Sequence, residues 1–464
     1  MKKILTIFLS LLLVLVVAYG AASYWIGGQA IKQHDQLISQ INLSNVLQAT
    51  TKSYERGLFK STVLTTFTLT RPENTGLYEF GIVSSIYHGP LVFLENPHLK
   101  WGLRPVLGVI RSRLAPDDSA EALKKALESV PELRSSEALT VLYFDGSAQS
   151  YLEVPPFEKQ FPADQAGQAE VQWGGFTAES KLDGALGKVT ASYSLPSMQV
   201  KQKDSLVSIK DLKGDLNSQP GIKGIHVGSA SLSVGNIEGS GQDNAPFSMR
   251  SFEIKAESGV YGETVGVSIR LNLDKVNAEG MAIGPFALEF EARKLDAEVL
   301  SRFQKLAPQI QKKVAEQTEG AKEEMEKLVS GLMADLLAKS PEFEIKQLNV
   351  MTDKGDLSGR AKLTFNGPGL HLGANILALL ASIDASADLS VSEPLFLLIA
   401  ENALRDGSAP QPEEAAKASA TGLVDGLIAA NIMVRSDDSF KSNATYKHGV
   451  VTVNGRKLDL SKLK

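Results

Sequence analysis

Few residues in this chain have the types and spacing that chemistry requires. None of the six histidines stands in a helical pair or in another spacing that holds a metal ion. The absence of cysteine excludes disulfides, thiolate metal sites, a cysteine nucleophile and an acylated lipoprotein cysteine. We find no Gly-x-Ser-x-Gly elbow, Walker loop or dinucleotide glycine motif. The sequence therefore predicts no catalytic residue, no cofactor and no metal site, and no enzyme.

Two pairs of neighbouring carboxylates, Asp117-Asp118 and Glu323-Glu324, could serve in acid–base catalysis. That role requires a desolvated site at which titratable groups converge. One pair stands just before a predicted helix start and the other on a predicted helix face, where carboxylates are usually solvated. We interpret both pairs as surface residues.

Arg56 and His88 each allow two interpretations. Arg56 stands among apolar residues beside a strand, and it could bind an anionic headgroup or carboxylate in a bidentate manner. Alternatively, it pairs with a local acid or backbone carbonyl and holds the start of that strand. His88 could titrate in a compartment whose pH follows the medium, or it could simply lie in a turn shaped by Gly89 and Pro90.

The elements that must position these residues are mostly strands. Residues 62–69 are β-branched and aromatic and predict a strand, with Gly57 in a bulge or turn at its entry. Residues 87–90 predict a turn before an apolar segment. Residues 251–257, 265–273 and 286–292 alternate apolar and polar side chains, which is typical of an antiparallel meander with one apolar face. Such a face must be covered by protein or must form a groove for an apolar ligand.

Helical spacing appears in fewer places. Residues 28–50 predict a short amphipathic helix, and residues 120–127 predict another with Ser119 as its cap. The long block 296–339 predicts two helices or one kinked helix, because Pro308 and Gly320 interrupt it. Its helices either pack on the sheet or form a movable lid. Two later helices are predicted over residues 395–404 and 413–430.

The first residues predict where the protein works. Lys2 and Lys3 precede an uncharged apolar run from Ile4 to Ile26, which as a helix would extend about 34 Å and could cross a hydrocarbon core of about 30 Å. The lysines favour a cytoplasmic N-terminus. A cleaved signal peptide with Ala18-Tyr19-Gly20 at its cutting site is the alternative. Both interpretations place the body outside the cytoplasm.

Several motifs resemble one known family. The anchor is followed by a Tyr-x-Arg-Gly-x-Phe-x-Ser element and, about thirty residues on, by His-Gly-Pro. A central Trp173-Gly-Gly-Phe176 element and a closing hairpin complete the pattern. Together they are similar to the YdgA-like family of bacterial envelope proteins, a domain of unknown function. The resemblance implies Gram-negative bacteria, an inner-membrane anchor and a periplasmic body, without a reaction. Its motif residues, which we interpret as structural, are Tyr54, Arg56, Gly57, Phe59, Ser61, His88, Gly89, Pro90, Asn454 and Gly455.

We therefore predict an α+β fold of long antiparallel strands in a curved or twisted sheet system with helical insertions, preceded by one transmembrane helix. The expected segments are an anchor (1–28) and a periplasmic body (29–464), the body being strands (29–295), a helical insertion (296–340) and a mixed part (341–464). The expected function is a non-enzymatic envelope scaffold or binding protein for a protein partner or an apolar ligand such as lipid. The alternative is an envelope enzyme whose site is not visible as a linear motif. The net charge of -5 argues against nucleic acid as a partner.

Overall fold

A computed structural model describes residues 17–458, except for residues 18, 33, 36–37, 40–41, 43–46, 71–76, 90–91, 93–105, 165–166, 242–244, 279–280, 317–318, 367–381 and 407–411. The chain divides into two compact units. The N-terminal unit comprises Met1–Val200, Lys213–Pro220 and Leu306–Ala321. The C-terminal unit comprises Lys201–Leu212, Gly221–Lys305 and Lys322–Lys464.

The N-terminal unit begins with helix α1, which covers residues 19–32 and has further helical residues at 34–35 and 38–39. Helix α2 covers Glu121–Ser129, between short 3-10 turns at Pro116–Asp118 and Pro131–Ser135. The strands are β1 Leu47–Arg56, β2 Lys60–Thr70, β3 Leu77–His88, β4 Gly108–Ala115, β5 Glu137–Leu142, β6 Ala148–Val154, β7 Phe157–Asp164, β8 Gly167–Trp173, β9 Phe176–Asp183 and β10 Lys188–Gln202. Antiparallel pairs run in order from β1 to β6, then from β6 to β9 and from β9 to β10, and β7 pairs with β8.

The C-terminal unit contains most of the long strands. They are β11 Ser205–Pro220, whose last residues belong to the N-terminal unit, β12 His226–Ser240, β13 Phe247–Tyr261, β14 Thr264–Ala278, β15 Met281–Asp296, β16 Glu342–Thr352, β17 Gly355–Phe365, β18 Ile383–Ser392, β19 Val434–Ser436, β20 Ser439–Lys447, β21 Val450–Val453 and β22 Arg456–Lys457. The helices are α3 Ala297–Glu316, α4 Glu319–Leu337, α5 Glu393–Asp406 and α6 Glu413–Ala429, and the part of α3 and α4 within Leu306–Ala321 belongs to the N-terminal unit.

Register follows the apolar pattern of the predicted meander. Phe252 of β13 pairs with Leu273 of β14, and Leu273 pairs with Phe286 of β15. Antiparallel pairing continues from β15 through β16 and β17 to β18, and then to β20. Because side chains alternate across a strand, this register keeps apolar residues on one side of neighbouring strands. The predicted α+β class with mostly antiparallel strands is confirmed.

Each unit has its own apolar core. In the N-terminal unit, one face of β4–β6 packs around Val109, Leu139, Val141 and Tyr151. In the C-terminal unit, α5 and α6 cover the sheet through a buried cluster that includes Leu395, Val424 and Phe440. The predicted helices over 395–404 and 413–430 are thereby confirmed, and the packing explains them, since each has one apolar side that needs a covering surface.

The structure corrects several local predictions. His88 is the last residue of β3 and not part of a turn. Ser119 does not cap α2: Ala120 is the cap residue, and the Ser119 hydroxyl donates to the Ala115 carbonyl and accepts from the Gly81 amide. The helix predicted over residues 28–50 does not reach residue 50, since strand β1 begins at Leu47. Strand β1 pairs with β2, and local periodicity does not reveal such a pairing.

The long helical block forms two helices, as one of the two alternatives predicted. Neither predicted breaker separates them, however, since Pro308 lies within α3 and Gly320 lies in the first turn of α4. A proline can remain in a helix if neighbouring contacts compensate for the lost hydrogen bond.

The predicted transmembrane helix falls largely on residues 1–16 and 18, which lie outside the described residues. Within the described part of the chain, no helix is both long enough and apolar enough to cross a membrane.

Candidate functional site

Helix α1 contacts the rest of the N-terminal unit through one face. Residues 19, 23, 27, 30, 34 and 38 follow one another at spacings of three and four, so they share that face. The first half of the face contacts the motif residues around His88, and the second half lines a cavity above the sheet. Half of the ten residues that resemble a family motif therefore meet this one helix.

His88 joins the helix to the sheet. Its Nδ1 lies 3.0 Å from the carbonyl oxygen of Ser23 in α1, and its Nε2 lies 3.0 Å from the Ser61 hydroxyl of β2. A carbonyl only accepts, so Nδ1 carries the proton, and Nε2 of the neutral ring accepts from Ser61. The side chains of Ser61 and His88 are 0% and 2% exposed. Both ring nitrogens are therefore satisfied inside the protein.

The surroundings of His88 favour its neutral form. Burial lowers the pKa of His88, and the positive charge of Arg56 acts in the same direction, while the hydrogen bond to Ser23 opposes them. A charged imidazolium would lose its hydration here without gaining a carboxylate partner, which explains the direction of the shift.

Arg56, at the end of β1, also contacts α1. Its Nη2 donates to the backbone carbonyl of Tyr24, and its guanidinium lies 3.8 Å from the centre of the Tyr24 ring. A planar guanidinium can make both contacts at once, whereas an ammonium group cannot. Of the two interpretations of Arg56, the structure shows a carbonyl partner, although this partner is distant in sequence rather than local.

Two glycines permit the close approach of these elements. Gly27 lies under the His88 ring, where an added Cβ would come within 2.8 Å of Cε1. Gly57 lies in the turn between β1 and β2, where a Cβ would collide with the Lys60 carbonyl oxygen. Phe59 of the same turn places its ring 5.8 Å from that of Tyr19. The turn and the helix are thus in direct contact.

A cavity of about 540 Å³ lies between the second half of α1 and one face of β2–β6. Its volume falls in the range of small-molecule sites. The sheet residues that line it share one side of their strands, opposite to the packed core around Val109 and Val141. They are Val63, Thr65, Phe67, Ile82, Ser84, Ile86, His88, Gly108, Ile110, Ser112, Ala138, Thr140, Leu142 and Ser150, with Leu107 contributed by the segment before β4 and Ala30, His34 and Ile38 by the helix.

The hydroxyls in the cavity wall are paired with one another. Ser84 and Ser112 are 2.8 Å apart on neighbouring strands, and Thr140 and Ser150 are 2.9 Å apart. A hydroxyl that already has a partner imposes little polarity on a ligand. The wall is therefore largely apolar in character and suits a hydrocarbon chain better than a charged molecule.

A second histidine, His34, lines the cavity from the helix. Burial lowers the pKa of His34, and the nearby Asp35 opposes that shift. Its Nε2 lies 3.4 Å from the Thr51 hydroxyl, and its ring centre lies 6.0 Å from that of Tyr54. Burial raises the pKa of Tyr54, with Ser61 and Arg56 acting against that rise. His34 and His88, whose pKa values are both lowered, thus border the same cavity.

In the part of the chain that the structure describes, no three potential metal ligands from His, Asp and Glu come together. The arrangement around Ser61 does have the geometry of a nucleophile and its base: a hydroxyl that donates to a neutral imidazole whose other nitrogen is held by an acceptor.

Comparison with known proteins adds a family. A family model described as a bacterial protein of unknown function (DUF945) matches residues 1–461. The chain belongs to this family. No curated protein and no solved structure matched. The YdgA-like resemblance is finer than this family description and remains a prediction.

In this DUF945 chain, the motif residues form two groups. Tyr54, Arg56, Gly57, Phe59, Ser61, His88 and Gly89 all lie in the N-terminal unit, around the first half of α1 or close to it. Gly89 has a φ of 144°, and a Cβ added to it would come within 2.7 Å of the Ser23 hydroxyl. Pro90 lies outside the described residues. The central Trp-Gly-Gly-Phe element joins β8 to β9, and the Gly174 amide donates to the Ser197 carbonyl.

Asn454 and Gly455 belong to the C-terminal unit and form the turn between β21 and β22. The Asn454 side chain accepts from the Asn443 amide at 2.9 Å and donates to the Asn431 carbonyl at 2.9 Å and to the Ile432 carbonyl at 3.2 Å. This single side chain thus ties the final hairpin to the segment that follows α6.

Sequence reasoning missed the helix side of the site. Ser23 and Tyr24 belong to the uncharged apolar run for which the sequence predicts a membrane span, and Gly27 follows that run within the predicted anchor. The available signal was the spacing of small and polar residues at 23, 27 and 30, which marks a helix face that packs closely on protein.

Proposed function

We propose that this protein is a membrane-anchored, non-enzymatic binding protein of the bacterial envelope, with its body in the periplasm, and that the cavity under α1 holds a lipid acyl chain. The cavity carries the proposal. It is about 540 Å³ in volume, its wall is apolar with self-paired hydroxyls, and one helix covers it. Burial of a hydrocarbon chain there would be favoured by about 25 cal/mol for each Å² removed from water.

Two sequence features support the envelope assignment. Lys2 and Lys3 precede the uncharged run, as in proteins whose N-terminus stays in the cytoplasm, and the family is bacterial. The alternative binding partner is another envelope protein, which would dock on the body and leave the cavity empty.

Lipid binding can be tested on the full-length chain by native mass spectrometry after detergent extraction. Ala138→Phe places a ring in the cavity, and Ala185→Phe places the same ring in an exposed turn of the same unit. We expect one phospholipid or fatty acid per chain in the wild type and in Ala185→Phe, and its loss in Ala138→Phe. A delipidated wild type that takes up no fluorescent fatty acid would contradict the proposal.

The location can be tested separately because the natural chain has no cysteine. Leu186→Cys places one thiol in an exposed turn of the body, and Lys2→Cys places one before the apolar run. In intact cells with a permeabilised outer membrane, a membrane-impermeant maleimide should label position 186 and spare position 2. Labelling at neither position before lysis would place the body in the cytoplasm and contradict the assignment.

An enzyme remains the second candidate, because Ser61 and His88 have nucleophile-and-base geometry beside an apolar cavity that two histidines border. The substrate class would be an acyl ester. Purified chain should then hydrolyse p-nitrophenyl esters, Ser61→Ala should abolish this, and Ser136→Ala, a buried serine without a histidine, should not. No hydrolysis by the wild type would remove this candidate.

A further inference from the structure

The turn between β1 and β2 presents apolar side chains outward. Leu58 and Phe59 are each 48% exposed, although both are large hydrophobic residues. The cations Arg56 and Lys60 flank them in sequence. An exposed apolar tip between basic residues is a surface that suits an interface between hydrocarbon and anionic headgroups.

Helix α1 continues this surface. Phe59 contacts Tyr19, and Arg56 lies on the Tyr24 ring, so the turn and the helix lie side by side. Trp25 of the helix is 61% exposed, and Val17, which precedes the helix in sequence, is 63% exposed. Tyrosine and tryptophan are the residues enriched where transmembrane helices leave the bilayer. The apolar surface is therefore shared by two elements.

The position of the Phe59–Tyr19 contact along the N-terminal run sets the depth of the turn in the bilayer. A crossing helix needs about 20 residues, so a span that begins at Ile4 extends to about residue 23. Tyr19 then lies about 6 Å inside the hydrocarbon boundary. Phe59 touches Tyr19, and it must lie at nearly the same level. A water-exposed turn at that depth is impossible unless the bilayer deforms or protein covers the turn.

We propose that Leu58 and Phe59 insert into the periplasmic surface of the same bilayer that the N-terminal run crosses, with Lys60 and Arg56 at the phospholipid headgroups. The proposal rests on the anchor assumed above. It gives the N-terminal unit a fixed orientation at the bilayer surface.

The full chain offers a clean test, since a single introduced cysteine is the only thiol. Nitroxide labels are placed at Leu58→Cys, at Phe59→Cys and, as a control, at Leu186→Cys, an exposed leucine in another turn of the same unit. The proteins are reconstituted in vesicles of phosphatidylethanolamine and phosphatidylglycerol, and collision rates with oxygen and with a nickel chelate are compared.

At positions 58 and 59 we expect high oxygen and low nickel accessibility, and at position 186 the reverse. High nickel accessibility at position 58, equal to that at 186, would overturn the proposal. Low accessibility to both reagents would also overturn it, by showing that a protein partner or a second copy covers the turn. The Leu58 label leaves the Phe59–Tyr19 contact in place, so the test does not depend on the Phe59 variant folding.

Failure of the anchor is distinguished by flotation of the same vesicles. If the chain does not float with lipid, the anchor is wrong. If it floats and position 58 is in water, only the inserted turn is wrong. Lipid in the cavity is measured independently with Ala138→Phe.

Discussion

Ser61 and His88 form a buried polar pair in which both groups have their hydrogen-bond partners. The pair stabilises the fold mainly because neither buried group is left unpaired. A buried acceptor that loses its donor costs more than the hydrogen bond itself contributes, because the acceptor has already lost its water. His88 also depends on the Ser23 carbonyl, so three segments of chain share one network. Such networks hold elements in one register and do not tolerate partial removal.

We expect Ser61→Ala to destabilise the N-terminal unit by about 1–3 kcal/mol, since it leaves Nε2 of His88 without a donor. Ser136→Ala is the matched control. The Ser136 hydroxyl is also buried but has no hydrogen-bond partner in the described part of the chain, so its removal should be neutral or stabilising. Urea unfolding followed by tryptophan fluorescence measures both. Equal losses in the two variants would contradict the role of the pair.

Asn454 is the corresponding residue in the C-terminal unit. Asn454→Ala should cost about 1–3 kcal/mol, because the Asn443 amide and the Asn431 carbonyl each lose a partner. Asn454 also has a φ of 49°, a conformation that alanine adopts less readily than asparagine. Asn454→Gly keeps the conformation and loses only the side-chain bonds. It should therefore be the less damaging of the two in urea unfolding followed by far-UV circular dichroism.

At the scale of elements, α1 is held by small residues. Its inward face has Ser23, Gly27 and Ala30 where a free amphipathic helix would carry larger apolar side chains. Small residues bring the helix backbone within reach of the His88 ring and of the Arg56 guanidinium. The helix therefore owes its position to close approach and specific hydrogen bonds as well as to buried area.

Substitutions at two glycines of α1 test whether close approach to the His88 ring holds the helix in place. Gly27→Ala should destabilise the docked helix by about 1–3 kcal/mol, because the new Cβ would overlap the His88 ring. Gly20→Ala adds the same methyl group where no atom lies within 4 Å, and it should be neutral or stabilising by up to about 1 kcal/mol. Hydrogen exchange of residues 19–32 in full-length protein would compare them. Faster exchange in both variants would show that the helix is not seated on His88.

At the scale of the molecule, the two units should respond differently to acid. Burial lowers the pKa of His88 and His34 from the ordinary value of 6.5, so both rings are neutral in the folded and unfolded states at high pH. Below about pH 6.5 the unfolded chain takes up protons that the folded N-terminal unit does not. The stability of that unit must therefore fall as the pH drops from about 6.5.

The charged cluster of the C-terminal unit also loses stability as the pH falls, but in a more acidic range. A hydrogen bond from Lys346 is the largest cause that lowers the pKa of Glu291, and one from Lys294 does the same for Glu342. The ordinary value is 4.5, so their contribution is complete above that pH and is lost as the pH falls through the lowered pKa values. Arg293 bridges both carboxylates and Glu344, which makes the cluster a network rather than an isolated surface pair.

We therefore expect a window between about pH 4.5 and 6.5 in which only the N-terminal unit is weakened. All three tryptophans, Trp25, Trp101 and Trp173, belong to that unit, so fluorescence follows it alone, while far-UV circular dichroism follows the whole chain. The urea midpoint by fluorescence should fall across the window before the midpoint by circular dichroism does. The fall should be smaller in a His34→Gln/His88→Gln variant and unchanged in His448→Asn. Midpoints that move together would contradict the prediction.

Much of the fold could be predicted from local pattern. Alternation over 251–292 predicts β13, β14 and β15, and helical spacing predicts α2, α5 and α6, because periodicity depends only on which side of each element is buried. Less of the site could be predicted. Arg56 and His88 were recognised from their residue types and neighbours, and Tyr54 and Ser61 through a resemblance, but neither their geometry nor the cavity was predicted.

By itself, the sequence determined the α+β class, most of the strands and helices, the uncharged N-terminal run and the lack of any thiol chemistry. Only the tertiary structure decided that Ser61 meets His88 across 27 residues and that His88 meets Ser23 across 65. Those contacts depend on strand register and on how closely α1 approaches the sheet, and both are set by packing between segments distant in sequence. The order of neighbouring residues along the chain does not determine the distances between segments that are far apart in sequence. The cavity and the helix that covers it could therefore be identified only in the folded protein.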